Sequence, residues 1–234
     1  MRWVGTTGQS EAEALTPTQE FVTQIVTETA KAGVLCSFMP LPEIRVGGSV
    51  PATGVFDSDR RLLIVATGRP RKSWLGILAH EFGHYQQWRT DCSVWQATYL
   101  GNGVYGDNFV DQWLTGVCEL SEEQRSRYFG VSQDVELDCE RRALRLLRRW
   151  LELEVDLEAY AIRASAYVYS YTVAAVERLW LRPGRLDSQL PRLRELCPPK
   201  LQPQGWYADT EGRRQRLLYE FLVEKCMGSL LTKR

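Results

Sequence analysis

Apolar and polar positions follow two different periods along this chain, and each period predicts a different kind of element. Between Phe21 and Val26 the apolar residues recur at helical spacing, which predicts a helix from Pro17 to about Lys31. Residues 41–46 alternate between apolar and polar, and residues 54–66 place two apolar runs on either side of a polar turn. These patterns predict a strand followed by a β-hairpin, whose second arm, Leu62 to Ala66, is rich in branched residues.

Helical spacing dominates the rest of the chain. Ser73 is expected to cap a helix from about Trp74 to Trp88, and the aromatic-rich stretch 91–120 is expected to be a loop. A small sheet early in the chain, packed on this helix and followed by a mostly helical C-terminal half, indicates an α+β fold. The remaining helices are expected over about 135–153, 156–181 and 211–225.

Length and composition are those of an ordinary globular protein, with 44% hydrophobic and 25% charged residues among 234. We expect a single domain over residues 1–234, with 1–16 as a loose leader and 185–234 as a helical C-terminal extension. Lys plus Arg and Asp plus Glu each total 29, so the net charge is zero. That balance argues against nucleic acid or a membrane as partner, and the arginine stripe at positions 141, 145, 148 and 149 is interpreted as a solvated helix face.

The N-terminus lacks the apolar run of a signal peptide, and no stretch approaches the ~18 apolar residues of a spanning helix. The six cysteines occur singly, without a C-x-x-C pair, which favours reduced thiols over a disulfide framework. The expected location is therefore the cytoplasm, or the host cytoplasm or virion if the gene is viral. The oligomeric state is left open.

One short motif carries chemistry: His80-Glu81-Phe82-Gly83-His84, which is H-E-x-x-H and contains both histidines of the chain. On a helix, residues four apart lie on one face, so two imidazoles can share a zinc ion at ~2.0–2.1 Å. The glutamate between them can take a proton from a water on that metal. His80 and His84 are thus the candidate zinc ligands and Glu81 the candidate general base. The alternative is that both histidines only satisfy hydrogen bonds in a helical core.

A third ligand must be a carboxylate or a thiolate, because no third histidine exists. Glu136 and Glu140 lie four residues apart on a predicted helix, on the same face as small and apolar side chains. We assign Glu136 as the third ligand and Glu140 as the acceptor that orients a zinc histidine, with Glu140 as the alternative ligand. Asp138 is the weakest candidate and Cys139 is interpreted as a packed thiol. In the alternative reading, both glutamates are solvated partners of nearby arginines.

At these residues the chain resembles zinc metallopeptidases of the gluzincin type. H-E-F-G-H resembles their active-site helix, and E-L-D-C-E-R-R-A resembles the downstream E-x-x-A-D helix, with Glu136 at the ligand position and Glu140 where that pattern has Asp. The hairpin running into H-E-F-G-H also resembles the short peptidases of phage and mobile-element genomes, including the ImmA type. The resemblance covers roughly residues 54–150, and it is closest to uncharacterised metallopeptidases of tailed phages. It implies a zincin-like fold and hydrolysis of a protein or peptide substrate.

The resemblance also implies where a substrate would lie, since in zincins the strand before the active-site helix runs beside it. Leu62 to Ala66 is the candidate strand, and the stretch from Trp88 to Trp113 is a candidate lid. A donor to the oxyanion is expected among Tyr167, Tyr169, Tyr171 or Tyr85, which could equally be packing residues. Two other functions stay open: a zinc-stabilised structural protein, for example in a phage particle, and a peptidase with one dedicated substrate.

Overall fold

The computed structural model of the protein describes residues 15–45, 51–101, 104–182 and 184–230. The expected leader, 1–16, therefore lies almost wholly outside the described residues. The fold is α+β, as predicted, with a small three-stranded sheet early in the chain and helices through most of the remainder. The helices are α1 (Pro17–Lys31), α2 (Arg71–Thr90), α3 (Ser93–Thr98), α4 (Gly106–Leu114), α5 (Glu122–Leu151), α6 (Leu157–Glu177), α7 (Arg185–Ser188), α8 (Leu190–Leu196), α9 (Gln204–Ala208) and α10 (Arg213–Phe221), and the strands are β1 (Leu35–Met39), β2 (Gly54–Asp57), β3 (Leu62–Ala66), β4 (Tyr99–Gly101), β5 (Val104–Tyr105), β6 (Trp180–Leu181) and β7 (Met227–Gly228).

The sheet has the order β1-β3-β2, with β1 parallel and β2 antiparallel to the central strand β3. The predicted hairpin is confirmed as β2 and β3. The predicted strand over 41–46 is wrong: of its described residues only Ile44 forms a bridge, with Ala52. The strand that pairs with β3 is instead β1, which lies directly before residues 41–46 in the chain. It does not continue into those residues because Pro40 and Pro42 lack the N–H groups that a longer ladder would need.

Helix α1 agrees with the prediction, and Thr16 begins it with a capping box shared with Gln19. Helix α2 begins three residues earlier than expected, directly after Pro70, so Ser73 is not its cap. The Ser73 hydroxyl instead donates to Asp187, 3.3 Å away. Proline at this position presets the entering backbone and leaves no cap hydrogen bond to a side chain.

The stretch 91–120 is not the loop that its glycines and aromatic residues suggested. It folds into α3, the β4–β5 pair and α4, which ends at Leu114. The fully buried face of α4 consists of Val110, Trp113 and Leu114, at i, i+3 and i+4. Their burial against Phe129 of α5 stabilises a helix that local composition did not reveal.

Helix α5 begins thirteen residues before its predicted start, because Ser121 and Gln124 form a second capping box. Helix α6 starts at the Asp156 cap as predicted and ends at Glu177, four residues earlier than expected, because the next residue, Arg178, takes a left-handed conformation. The last predicted helix is present as α10, which continues into a π-helical turn over Leu222–Cys226.

Two hydrophobic clusters form the core, and α5 and α6 contribute to both. One cluster joins the sheet, α1 and α2 to the C-terminal half of α5, around Phe82 and Leu147. The other joins α4, α6 and the C-terminal helices, around Tyr169 and Leu218. None of the described helices is long and apolar enough to cross a membrane.

Candidate metal centre

The two histidines project from one face of α2 toward α5. Their rings lie 4.7 Å apart, and the two Nε2 atoms are separated by 3.1 Å. Both side chains are largely buried. The H-E-x-x-H segment therefore presents two imidazole nitrogens to the same small space.

Glu136 comes to this space from α5, which runs antiparallel to α2. Its Oε2 atom lies 3.4 Å from Nε2 of His80 and 3.4 Å from Nε2 of His84. The other oxygen, Oε1, accepts a hydrogen bond of 3.0 Å from the Tyr171 hydroxyl. Oε2 is buried and is left without a hydrogen-bond partner among the described residues. A buried carboxylate oxygen in that state is costly unless a further group binds it.

These three atoms have the spacing that a tetrahedral metal site requires. Ligands at ~2.0–2.1 Å in tetrahedral geometry are about 3.3–3.4 Å apart. The observed edges, between the two Nε2 atoms and Oε2 of Glu136, are 3.1, 3.4 and 3.4 Å. Two imidazole nitrogens and one carboxylate oxygen also form a donor set that zinc accepts.

Cys139 forms another group with the histidines, since one ligand atom from each of His80, His84 and Cys139 lies within 4.8 Å of the others. This group could hold a metal ion. The Cys139 thiol donates to the backbone carbonyl of His80 at 3.0 Å. A Cβ atom added to Gly83 would lie only 2.8 Å from the same sulfur, so the thiol sits against the backbone of α2.

The remaining ring nitrogen of His80 faces Glu140. Its Nδ1 lies 3.1 Å from Oε1 of Glu140, and the other oxygen of Glu140 accepts a bond of 2.5 Å from the Tyr160 hydroxyl. Glu140 is 5% exposed and lies on the side of the ring opposite Nε2. An acceptor on Nδ1 fixes the ring and leaves Nε2 free for a metal.

His84 is held in the same way by Gln87, a residue that sequence reasoning did not assign. The side-chain oxygen of Gln87 lies 2.9 Å from His84 Nδ1. Its amide nitrogen donates to the Val135 carbonyl and to Asp138, at 2.8 and 3.0 Å. Gln87 is fully buried, and its position at i+7 from His80 on the same helix face was the signal that could have revealed it.

Glu81 lies beside the histidines and against strand β2. A Cβ atom on Gly54 would come within 2.6 Å of its carboxylate and of the Ile77 side chain, so a larger residue there would force these side chains to shift. Burial raises the pKa of Glu81, while both histidines and the backbone N–H of Phe56 oppose that rise. A carboxylate with a raised pKa is a better proton acceptor and donor near neutrality.

The electrostatics of the cluster favour a cation. Burial alone would lower the pKa of His80 and His84, yet Cys139 and the adjacent carboxylates raise both pKa values well above the usual range. Burial likewise tends to raise the pKa of Glu136, but the histidines and Tyr171 hold that pKa at about 2. A site with this balance stabilises positive charge where the three ligand atoms meet.

A cleft passes over His80 and Glu81 and continues in two directions. On one side it reaches Gly76, Tyr160 and Arg163, and on the other it reaches Trp95 and Asn108. The stretch expected to form a lid thus contributes one wall of the cleft.

Strand β3, the expected neighbour of a substrate, is wrong for that role because β1 and β2 occupy both of its edges. The strand at the sheet edge beside the cleft is β2. Thr53, which precedes β2, directs its carbonyl toward β3 and accepts a hydrogen bond there from the backbone N–H of Ala66. Gly54 and Phe56 lie one and three residues after Thr53, so their backbone groups have the opposite orientation. The backbone groups of Gly54 and Phe56 therefore face away from β3.

The four candidate tyrosines divide into two pairs. Tyr167 lies over His80 with ring centroids 5.8 Å apart, and its hydroxyl is 3.3 Å from that of Tyr171. Tyr169 instead donates to the Asp209 and Gln215 carbonyls, and Tyr85 donates to the Glu28 carbonyl. Of these four tyrosines, Tyr167 and Tyr171 line the cleft.

Comparison with known proteins yields no relative for this chain. No family model matches it, and neither the curated proteins nor the solved structures searched contain a match.

Proposed function

We propose that this protein is a zinc-dependent peptidase on a zincin-like fold, with His80, His84 and Glu136 as metal ligands. The observation that carries the proposal is the buried, unpartnered Oε2 of Glu136, 3.4 Å from both Nε2 atoms. Each Nδ1 already faces an acceptor, so the two Nε2 atoms and Oε2 are the donors directed at a common point. A zinc ion bound there would lower the pKa of a water molecule toward ~7 and polarise a peptide carbonyl.

Glu81 supplies the proton chemistry in this proposal. Its carboxylate, next to Gly54 and the histidines, accepts a proton from the attacking water and later delivers it to the leaving amine. The raised pKa of Glu81 suits both roles. Tyr167, beside His80 at the cleft surface, is the candidate donor to the developing oxyanion.

The free edge of β2 positions the substrate. The outward backbone groups of Gly54 and the outward carbonyl of Phe56 can pair with an extended peptide, as sheet edges commonly do, while the Phe56 N–H interacts with Glu81. A scissile bond held at Gly54 would lie against Glu81, because no side chain separates the two residues. This assigns to β2 the role that the sequence suggested for β3.

A structural zinc site is the second candidate, and the position of Cys139 is the observation that favours it. Four protein ligands, with the thiolate as the fourth, would close the site and leave no room for water. The hydrogen bond from the thiol to the His80 carbonyl argues for a packing role instead. Replacing Cys139 with serine separates the two: zinc is retained in the peptidase and weakened in the structural site.

The deciding experiment compares wild-type protein with Glu81→Gln and with Glu220→Gln, an exposed glutamate on α10 that serves as control. We expect about one zinc per chain by elemental mass spectrometry in all three proteins. Cleavage of a mixed peptide library, followed by mass spectrometry, is expected in wild type and Glu220→Gln and to fall at least ~10³-fold in Glu81→Gln. Undiminished cleavage by Glu81→Gln would overturn the mechanism, and a chain without zinc would overturn the proposal itself.

A further inference from the structure

The cleft ends on one side in a group of arginines that the proposed chemistry does not use. Arg69, Arg163 and Arg182 line this end, together with Asp187 and Ser73. They come from separate parts of the chain: the segment before α2, the middle of α6 and the segment after β6. Folding therefore assembles a cationic end that no local sequence pattern indicated.

The charge at this end is unbalanced. Asp187 pairs with both Arg69 and Arg163, at 3.5 and 3.3 Å, and also accepts from the Ser73 hydroxyl. In the described part of the chain, neither of these arginines has another carboxylate partner within 4 Å, and Arg182 has none at all. The guanidinium groups of Arg69 and Arg163 thus share one carboxylate, and Arg182 adds a third positive charge at this end. The other carboxylates that line this side of the cleft, Glu81 and Glu140, belong to the surroundings of His80.

Arg163 connects this end to the metal centre. It lies on the same face of α6 as Tyr160, which binds Glu140, and Tyr167, which lies over His80. Tyr167 lies four positions after Arg163 on α6, a rise of about 6 Å along the helix. An extended peptide rises ~3.3 Å per residue, so the arginine end is roughly two residues from Tyr167 along a bound chain.

We propose that this arginine end, resting on the proposed peptidase function, binds a carboxylate of the peptide substrate close to the scissile bond. Arg163 and Arg69 are largely buried, at 23% and 14% side-chain exposure, so their charge is weakly screened. Guanidinium groups match carboxylates with paired, charge-assisted hydrogen bonds. The carboxylate can belong to an acidic side chain or to the C-terminus of the peptide, and both offer the same two oxygens.

Asp187 distinguishes recognition from a purely structural clamp. In the proposal it competes with the substrate for the arginines, so Asp187→Asn strengthens the binding of an acidic peptide. If the arginines serve only to hold α7 against α2 and α6, the same substitution lowers the melting temperature and leaves the preference among peptides unchanged.

The experiment uses the zinc-loaded Glu81→Gln protein, which is expected to bind a peptide without cleaving it. Three labelled hexapeptides are compared, identical except at one internal position and at the C-terminus. One carries an internal glutamate and an amidated C-terminus, one a glutamine and a free C-terminus, and one a glutamine and an amidated C-terminus. Fluorescence anisotropy is expected to show about tenfold tighter binding of one of the first two over the neutral peptide. Which of the two binds tighter identifies the source of the carboxylate.

Adding Arg163→Gln is expected to abolish this preference, whereas Arg148→Gln, at an exposed position of α5, preserves it. Equal affinity for the three peptides, or no binding of any of them, overturns the inference. A preference that depends on Arg163, in a protein whose wild type cleaves no peptide, supports the binding site and rejects the peptidase. The two proposals therefore fail separately.

Discussion

His80 and His84 lie one turn apart on the same helix, yet the structure supports them differently. His80 is held by Glu140, a carboxylate sixty residues away on α5, which is itself bound by Tyr160. His84 is held by the neutral amide of Gln87, three residues along its own helix. A charged acceptor raises the basicity of an imidazole more than a neutral one does. The His80 half of the site (His80 with Glu140) and the His84 half (His84 with Gln87) both depend on the packing of α5 against α2, since Gln87 itself donates to Val135 and Asp138 of α5. The two halves differ in whether the acceptor that supports the histidine is charged.

The largest expected loss of zinc comes from removing Glu136, the residue that lies next to both histidines. Glu136→Ala takes away the oxygen that lies 3.4 Å from each Nε2 atom, and two imidazoles alone rarely retain zinc. Elemental mass spectrometry after dialysis is expected to find little or no zinc. Cys139→Ser, prepared in parallel, is expected to keep about one zinc per chain. The reverse pattern would identify Cys139 as the ligand and Glu136 as its neighbour.

The next largest loss of zinc affinity is expected from removing the charge of Glu140, which supports His80. Glu140→Gln keeps an acceptor near His80 but removes its charge, and zinc affinity is expected to fall by ~10–100-fold. Titration against a chelator of known affinity measures the change, with Glu220→Gln as the control. An unchanged affinity would show that the carboxylate only anchors Tyr160.

Removing Gln87, the neutral acceptor that supports His84, is expected to lower zinc affinity less. Gln87→Leu removes the acceptor of His84 Nδ1, and we expect zinc affinity to fall by ~10-fold at most, because the lost acceptor carries no charge. Gln86→Leu, one position earlier, is the matched control. A larger loss for Gln87→Leu than for Glu140→Gln would reverse the comparison between the two halves.

The smallest expected change in zinc affinity comes from removing the hydrogen bond to Glu136, the proposed third ligand. Tyr171→Phe removes the donor to Oε1 of Glu136 while preserving the ring, so a loss of a few-fold in zinc affinity is expected. Tyr169→Phe, whose hydroxyl binds backbone carbonyls elsewhere, should leave the affinity unchanged. Equal effects from both variants would indicate a general change in the packing of α6.

These two halves also show what the sequence could and could not reveal. Spacing on a single helix was enough to group His80, Glu81 and His84, and the shared face of Glu136 and Glu140 was visible in the same way. Glu136 was expected to be the ligand and Glu140 the acceptor on a histidine; the positions of Glu136 at both Nε2 atoms and of Glu140 at Nδ1 of His80 themselves depend on the antiparallel packing of α5 on α2. That packing joins residues about fifty to sixty positions apart, and no local pattern encodes it.

The fold errors have a related origin. The stretch 91–120 has the composition of a loop, but burial of Val110, Trp113 and Leu114 against α5 stabilises a helix there. The alternation over 41–46 is typical of a strand, but Pro40 and Pro42 lack the backbone N–H donors that a strand in a sheet needs. Tertiary burial in the first case and missing N–H groups in the second outweighed the local pattern.

Phe82 and Gly83, the two central positions of the H-E-x-x-H segment, determine how closely α2 packs against its neighbours. Phe82 is buried in the core, while Gly83 lets α2 and α5 approach until Cys139 would collide with any added Cβ. The absence of a side chain at Gly83 thereby helps to set the distance between α2 and α5, and with it the distance of Glu136 from the two imidazoles. A methyl group at this point would push the helices apart and lengthen that distance, so a residue outside the proposed ligand set would affect which metal the proposed site accepts.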